Sequence, residues 1–134
     1  MNSLTLTTEQ LQKMIAHVQM HAPLEACGLL AGRGSTVEAV LPVANQAQSE
    51  VRFLMDPIEQ YQAFEWIDSN ELELIGIFHS HPAGPETVSP TDITQAAYAV
   101  VQIILAPVEN AEMWRARGFW LEADSYREVI LQIL

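Results

Sequence analysis

The chain is expected to be an α/β protein, with a mixed β-sheet flanked by helices. Three observations lead there. A capped amphipathic helix opens the sequence, two further helix starts interrupt it at Asp56 and Ser89, and apolar or alternating runs of strand length fill the spaces between. The resulting order, helix, strands, helix, strand, helix, strands, is that of helices packed on a sheet. The 134 residues make one ordinary domain, 1–134, long enough to bury a core without staples. With 49% apolar and 17% charged residues, the composition suits a packed domain and argues against disorder. Repeats and low-complexity tracts are absent.

Thr7-Thr8-Glu9-Gln10 reads as a capping box, and Leu11, Met14, Ile15 and Val18 then recur at helical spacing until Pro23. His17 and His21 lie four apart on this helix, a spacing that could share a metal but more simply forms a paired solvent face. The run CGLLAG, from Cys27 to Gly32, is a buried strand. It turns through Gly32-Arg33-Gly34-Ser35 into a weakly alternating strand from Val37 to Val43. The segment from Pro42 to Met55 reads as a mobile connection with an extended end near Phe53. Asp56-Pro57-Ile58-Glu59 starts a second helix with a cap, an N1 proline and an acid at N3. Its expected buried stripe is Ile58, Tyr61, Phe64 and Ile67, ending near Asn70.

Leu72 to Phe78, LELIGIF, is apolar enough for a strand covered on both faces. Ser89-Pro90-Thr91-Asp92 then starts a short helix reaching about Tyr98. Strand patterns follow in VVQIILAP, in Met113 to Leu121 and in Tyr126 to Ile133. Trp114 and Trp120 share one face of the second of these, as core or helix packing would require.

Charge and cysteine usage narrow the function classes. Seventeen acidic against six basic side chains give a net charge of -11, and the basic residues are scattered. No stripe tracks a phosphate backbone, so nucleic acid is not an expected partner. A single cysteine, Cys27, excludes an internal disulfide and fits a reducing compartment. The opening MNSLTLTTEQ has no basic segment followed by an apolar one, and no apolar run reaches membrane-spanning length. The expectation is a cytoplasmic protein without membrane contact.

The chemistry concentrates in His79 to Asp92, HSHPAGPETVSPTD. Side chains alternate along a strand, so His79 and His81 point to one side and Ser80 to the other. Two converging imidazoles, with Asp92 as candidate third ligand, have the composition of a zinc site whose fourth position is open to water. Ser89 and Asp92 also satisfy a purely structural reading as N-cap and N3 of a helix, and capping is compatible with ligation because it fixes where the carboxylate points. Zinc deaminases, with H-x-E and P-C-x-x-C, and H-E-x-x-H peptidases are excluded because this chain contains neither pattern.

The spacing of His79-x-His81, seven residues, Ser89, two residues, Asp92 resembles the JAMM signature of the MPN-plus metallopeptidases, in the small prokaryotic form. The resemblance extends to Pro23-Leu24-Glu25-Ala26-Cys27-Gly28-Leu29-Leu30-Ala31-Gly32, to Arg52-Phe53-Leu54-Met55-Asp56-Pro57 and to Gly76-Ile77-Phe78 leading into His79-Ser80-His81-Pro82. It covers most of the first hundred residues in the family's order.

The resemblance implies an MPN fold, similar in layout to cytidine deaminases, and one catalytic Zn2+ held by His79, His81 and Asp92. It also gives Glu25 the part of general base and Ser89 that of steadying the oxyanion. By composition alone Glu25 would be a solvated residue at a strand entrance. Cys27, on its strand face, reads as an inert small hydrophobe, with a nucleophile as the alternative. The implied activity is hydrolysis of peptide or isopeptide bonds after the C-terminal tail of a ubiquitin-like or sulfur-carrier protein. A wall- or phage-associated peptidase of the same superfamily and a noncatalytic scaffold are the alternatives. In the family, an insertion comparable to 42–55 helps hold the substrate's tail.

Overall fold

Ten elements run along the computed structural model, which describes residues 2–109 and 113–134. In order they are β1 (Ser3–Leu6), α1 (Thr8–His21), β2 (Cys27–Arg33), β3 (Thr36–Val43), α2 (Pro57–Ser69), β4 (Glu73–Ser80), α3 (Pro90–Gln95), β5 (Val101–Pro107), β6 (Trp114–Leu121) and β7 (Tyr126–Ile133). The strands pair in the order β1-β3-β2-β4-β5-β6-β7, and β7 pairs back to β1, closing the sheet as a barrel. The sheet is mixed: β1 runs parallel to β3 and β7, and β4 parallel to β5, while the other pairs are antiparallel. The expected α/β class with a mixed sheet therefore holds. Closure was not expected, because β1 was not read as a strand.

The two faces of the sheet carry different helices. Met14 and Val18 of α1 sit in the largest apolar cluster, with Leu4, Leu6, Leu30, Phe78, Ile103 and Leu105 from four strands. Trp114 and Trp120 pack against the same cluster, as their shared face required. The alternate residues Cys27, Leu29 and Ile77 pack with Phe53 and Phe64 on the α2 side. Val88, Ile104 and Phe119 form a third cluster against Ile93 of α3. Strand alternation thus divides β4 between two environments, which determines where its histidines go.

Three expectations need correction. In α2 only Ile67 of the proposed stripe is buried; Phe64 is half-buried, while Ile58 and Tyr61 are 69% and 64% exposed. The helix rests on β4 by its C-terminal half, and its first turn stands over the 44–55 segment, where Glu59 accepts the Ala44 N–H. Next, α3 stops at Gln95 rather than near Tyr98. Finally, the 44–55 segment is tied down by a bridge between Asn45 and Met55 and by hydrogen bonds from Gln46 N–H to Leu54 O and Asp56 N–H to Ala44 O. Among the described residues no helix is long and apolar enough to cross a membrane.

Candidate metal centre

The alternation in β4 places His79 on the α2 side and Ser80 on the α1 side. Ser80 is fully buried, its Oγ accepts the Ala26 N–H at 2.9 Å, and its own N–H donates to Ala26 O at 2.9 Å. This exchange fastens the end of β4 to the residue after Glu25. Two positions beyond His79, His81 is held from both sides: its N–H donates to Leu105 O at 2.8 Å, and its Nδ1 lies 2.8 Å from Pro85 O. A carbonyl can only accept, so Nδ1 carries a proton, which leaves Nε2 turned inward as the ring's candidate ligand atom.

The third group comes from the start of α3. Ser89 Oγ accepts the Asp92 N–H at 3.1 Å and the Asp92 Oδ2 accepts the Ser89 N–H at 2.9 Å, the expected capping box. The cap turns the carboxylate toward the imidazoles. Asp92 Oδ1 lies 3.0 Å from His79 Nε2, Oδ2 lies 3.2 Å from His81 Nε2, and the two Nε2 atoms are 3.1 Å apart. Glu86, in the loop between β4 and α3, accepts from Arg115 of β6 at 2.7 Å and so pins that loop to the sheet.

The donor set fits a small cation. Tetrahedral donors about 2.0–2.1 Å from a common centre are separated by roughly 3.3 Å, close to the spacing of these three. Two buried ring nitrogens and a carboxylate aimed at one point otherwise need protons shared between them. Among the described residues, His79, His81 and Asp92 form the one group of three that could hold an ion.

Burial lowers the basicity of His79, outweighing its contact with Asp92. For His81 burial acts in the same direction, but hydrogen bonds to Asp92 and Pro85, with the charges of Asp92 and Glu25, raise it above the ordinary value. Burial would raise Asp92, yet the hydrogen bonds and charge of the two histidines hold it well below the usual carboxylate range.

Glu25 lies just before β2 and is 4% exposed, with Oε1 buried and unpartnered. Burial pushes its carboxyl up to about 7; the nearby charge of His81 opposes this and that of Asp92 adds to it. Its backbone is held by the 44–55 segment, the N–H donating to Ser49 O at 2.8 Å and the carbonyl accepting from Asn45 Nδ2 at 3.0 Å. Phe53, from the same segment, stacks on His79 with ring centroids 4.6 Å apart and planes at 29°.

The remaining titratable candidates separate from the cluster. Cys27 is fully buried, and burial, with the charges of Glu25 and Glu59, pushes its thiol up to about 12, so it is an inert hydrophobe and not a nucleophile. His17 and His21 meet edge to face at 4.6 Å. His21 is exposed as expected, but His17 is half-buried and its Nε2 lies 3.1 Å from Cys27 O. Sequence reasoning missed Ser80 and Asn45 as supports of the site. The strand alternation located Ser80 on the far face, but nothing local identifies its partner Ala26, and Asn45 sits in a polar stretch without a pattern.

A sequence profile of the family described as prokaryotic homologs of the JAB domain matches residues 7–120. Over 95 residues the chain is 39% identical to a Thermus thermophilus protein named "Probable TtuB-protein conjugate cleaving protease", covering 70% of this chain and 64% of that protein. It is 35% identical over 103 residues to a desampylase of Pyrococcus furiosus, covering 76% of this chain and 74% of that one. A crystal structure of a JAB1/MPN domain protein from Archaeoglobus fulgidus superposes with a TM-score of 0.63 over 100% of both chains at 16% identity, a likeness of fold.

Proposed function

The chain belongs to the prokaryotic homologs of the JAB domain, and on that premise we propose that it is a zinc-dependent peptidase of the JAMM type. Its substrates on this reading are peptide or isopeptide bonds after the C-terminal tail of a ubiquitin-like or sulfur-carrier protein. The names of the Thermus and Pyrococcus relatives, a conjugate-cleaving protease and a desampylase, support that class. The observation that carries the reading is the meeting of His79, His81 and Asp92 within hydrogen-bond distance of one another, with the buried Glu25 carboxyl, one oxygen unpartnered, near enough to feel the charges of His81 and Asp92. Residues 1–134 act as one domain, and its single unpaired cysteine fits a cytoplasmic setting.

His79 Nε2, His81 Nε2 and the Asp92 carboxylate would hold the ion. Zinc, when bound, supplies Lewis-acid polarisation of the scissile carbonyl and makes water more acidic. Glu25 takes a proton from the attacking water and later delivers it to the leaving nitrogen, so that the C–N bond breaks to a carboxylic acid and a neutral amine, and the acid then loses its proton to solvent. Burial raises this carboxyl to about 7 in the metal-free protein, and the same desolvation makes Glu25 a stronger base than an exposed glutamate. Pro85 O fixes the His81 tautomer, and the capping box fixes the Asp92 rotamer. Because Ser89 Oγ accepts from Asp92 N–H, its hydroxyl proton remains available to donate to the developing oxyanion.

The test is a cleavage panel of ubiquitin-like and sulfur-carrier proteins extended at their C-termini by a peptide or an isopeptide-linked lysine, beside wall peptides, with a chelator control. Cleavage after the carrier tail that stops with chelator and in Glu25→Gln is expected. Full turnover by Glu25→Gln on any true substrate, or cleavage of wall peptides alone, would overturn it.

A further inference from the structure

The 44–55 segment does something its length and composition do not announce. Asn45 uses every hydrogen-bonding position its amide has. Nδ2 donates to Glu25 O at 3.0 Å and to Arg52 O at 3.1 Å, while Oδ1 accepts from Ala47 N–H at 3.0 Å and Leu54 N–H at 2.9 Å. Two carbonyls on one side and two amide N–H groups on the other allow only one orientation of the side chain. Arg52 and Leu54 flank Phe53, so the amide grips the backbone on both sides of the ring that stacks on His79.

That stack matters because of what His79 lacks. A metal-binding histidine ordinarily donates its second ring N–H to a carbonyl or carboxylate, which fixes the ring's rotation and its basicity. His81 has this support in Pro85 O, but His79 Nδ1 is buried with no hydrogen-bond partner among the described residues. The His79 ring is held instead across its face, by the stacked ring of Phe53. The third branch of the amide ends on Glu25, whose backbone lies outside the β2 ladder and is bound through Ser49 and Asn45 instead.

We propose that Asn45 is a positioning residue that keeps two halves of the site in register, the general base through the Glu25 carbonyl and the metal ligand His79 through Phe53. The inference rests on the metal-site reading above, and extends it to a residue that touches neither cation nor substrate. No other side chain replaces this amide. Aspartate retains both acceptor contacts but sets a carboxylate oxygen against two carbonyls, glutamine is one methylene too long, and alanine loses all four bonds.

The experiment uses the full chain loaded with Co2+, whose visible absorption reports ligand number and geometry, and with Zn2+, whose affinity is read by chelator competition. The variants are Asn45→Ala, Asn45→Asp, Phe53→Leu, Phe53→Tyr and Asn45→Ala combined with Phe53→Leu. Asn45→Asp preserves the two bonds accepted from Ala47 and Leu54 N–H, so it remains informative if the alanine variant fails to fold.

Removing an outer support of a metal ligand typically weakens binding about 10- to 100-fold, and that loss is expected in Asn45→Ala, Asn45→Asp and Phe53→Leu, with an altered Co2+ band. Phe53→Tyr should restore both. The double variant should bind Zn2+ no worse than Phe53→Leu alone, because both act along one path. On a cleaved substrate Asn45→Asp should lower kcat with KM little changed, since the base moves and the outer binding surface does not.

An unchanged Co2+ spectrum and Zn2+ affinity in both Asn45 variants, or metal losses that simply add in the double variant, would overturn the proposal while leaving the metal site intact. A wild-type chain that gives no Co2+ band would instead overturn the metal-site reading, and this proposal with it.

Discussion

Replacing Glu25 by glutamine should make the metal-free protein more resistant to unfolding at alkaline pH, by an amount the structure sets. The carboxyl is 4% exposed with one oxygen unpartnered, and burial moves it from 4.5 to about 7. Between those two values the unfolded chain ionises Glu25 and the folded chain does not, so the native state holds the extra proton. Stability contributed by the neutral form is complete below 4.5, is lost as pH rises to about 7, and is absent above it. A displacement from 4.5 to about 7, at 1.36 kcal/mol per pH unit, is worth about 3 kcal/mol.

Glutamine has nearly the same shape and cannot ionise, so its stability lacks this pH dependence. Urea unfolding of chelated wild type and Glu25→Gln at pH 4.5 and 8.5 should give a gap that grows by about 3 kcal/mol in favour of the variant. With a slope of roughly 1.5 kcal/mol/M, the urea midpoints separate by about 2 M more at the higher pH. Taking the difference between the two pH values cancels any pH-independent effect of the amide. A gap that does not change with pH would refute the argument that Glu25 is held in a desolvated place at the expense of stability.

The same geometry fixes four further outcomes. Asp92→Asn keeps an acceptor for the Ser89 N–H and so keeps the helix cap, but removes the charge between His79 and His81; metal analysis should fall from about one ion per chain to less than about a tenth, and stoichiometric metal in that variant would contradict the ligand assignment. The kcat/KM of the wild type should fall toward acid pH as Glu25 protonates, below the value of about 7 that burial gives the metal-free carboxyl because a bound cation favours the anion, and a profile flat to pH 4 would contradict its place as the base. Iodoacetamide should leave Cys27 unmodified in the folded protein and activity intact, as judged by mass spectrometry and turnover. Gly28→Ala places a methyl on the Phe78 ring and 2.7 Å from Leu41 O, so a loss of about 1–3 kcal/mol or more is expected in denaturant titration; a loss below about 0.5 kcal/mol would show that β2 can shift.

What could be read from the sequence was local. The alternation around Ser80 assigned His79 and His81 to one face, and the spacing from Ser89 to Asp92 is a capping box that positions the carboxylate as well as the helix. Glu25 was different: a lone acid before an apolar run carries no signal, and only its place within the motif resembling the JAMM family distinguished it. β1 was invisible because Ser3 to Leu6 gains its identity from partners such as Ile130 and Ile133, at the other end of the chain. Ile58 and Tyr61 matched the period of a buried stripe, yet periodicity does not tell how far along a helix the contact extends. Asn45 gave no pattern, and for Ser80 the alternation gave a face but no partner, since the groups both residues bind lie at intervals unrelated to any local structure.

The exchange between Ser80 and Ala26 joins strands whose residues are 54 positions apart. A hydrolase of amide bonds is built from such bonds, and while it is being synthesised it is its own nearest potential victim. On the proposed reading Glu25 precedes one strand and the imidazoles end another, so the growing polypeptide has no competent centre until β2 and β4 have zipped together and Asp92 has emerged. Assembly of the sheet is thus itself the safety catch.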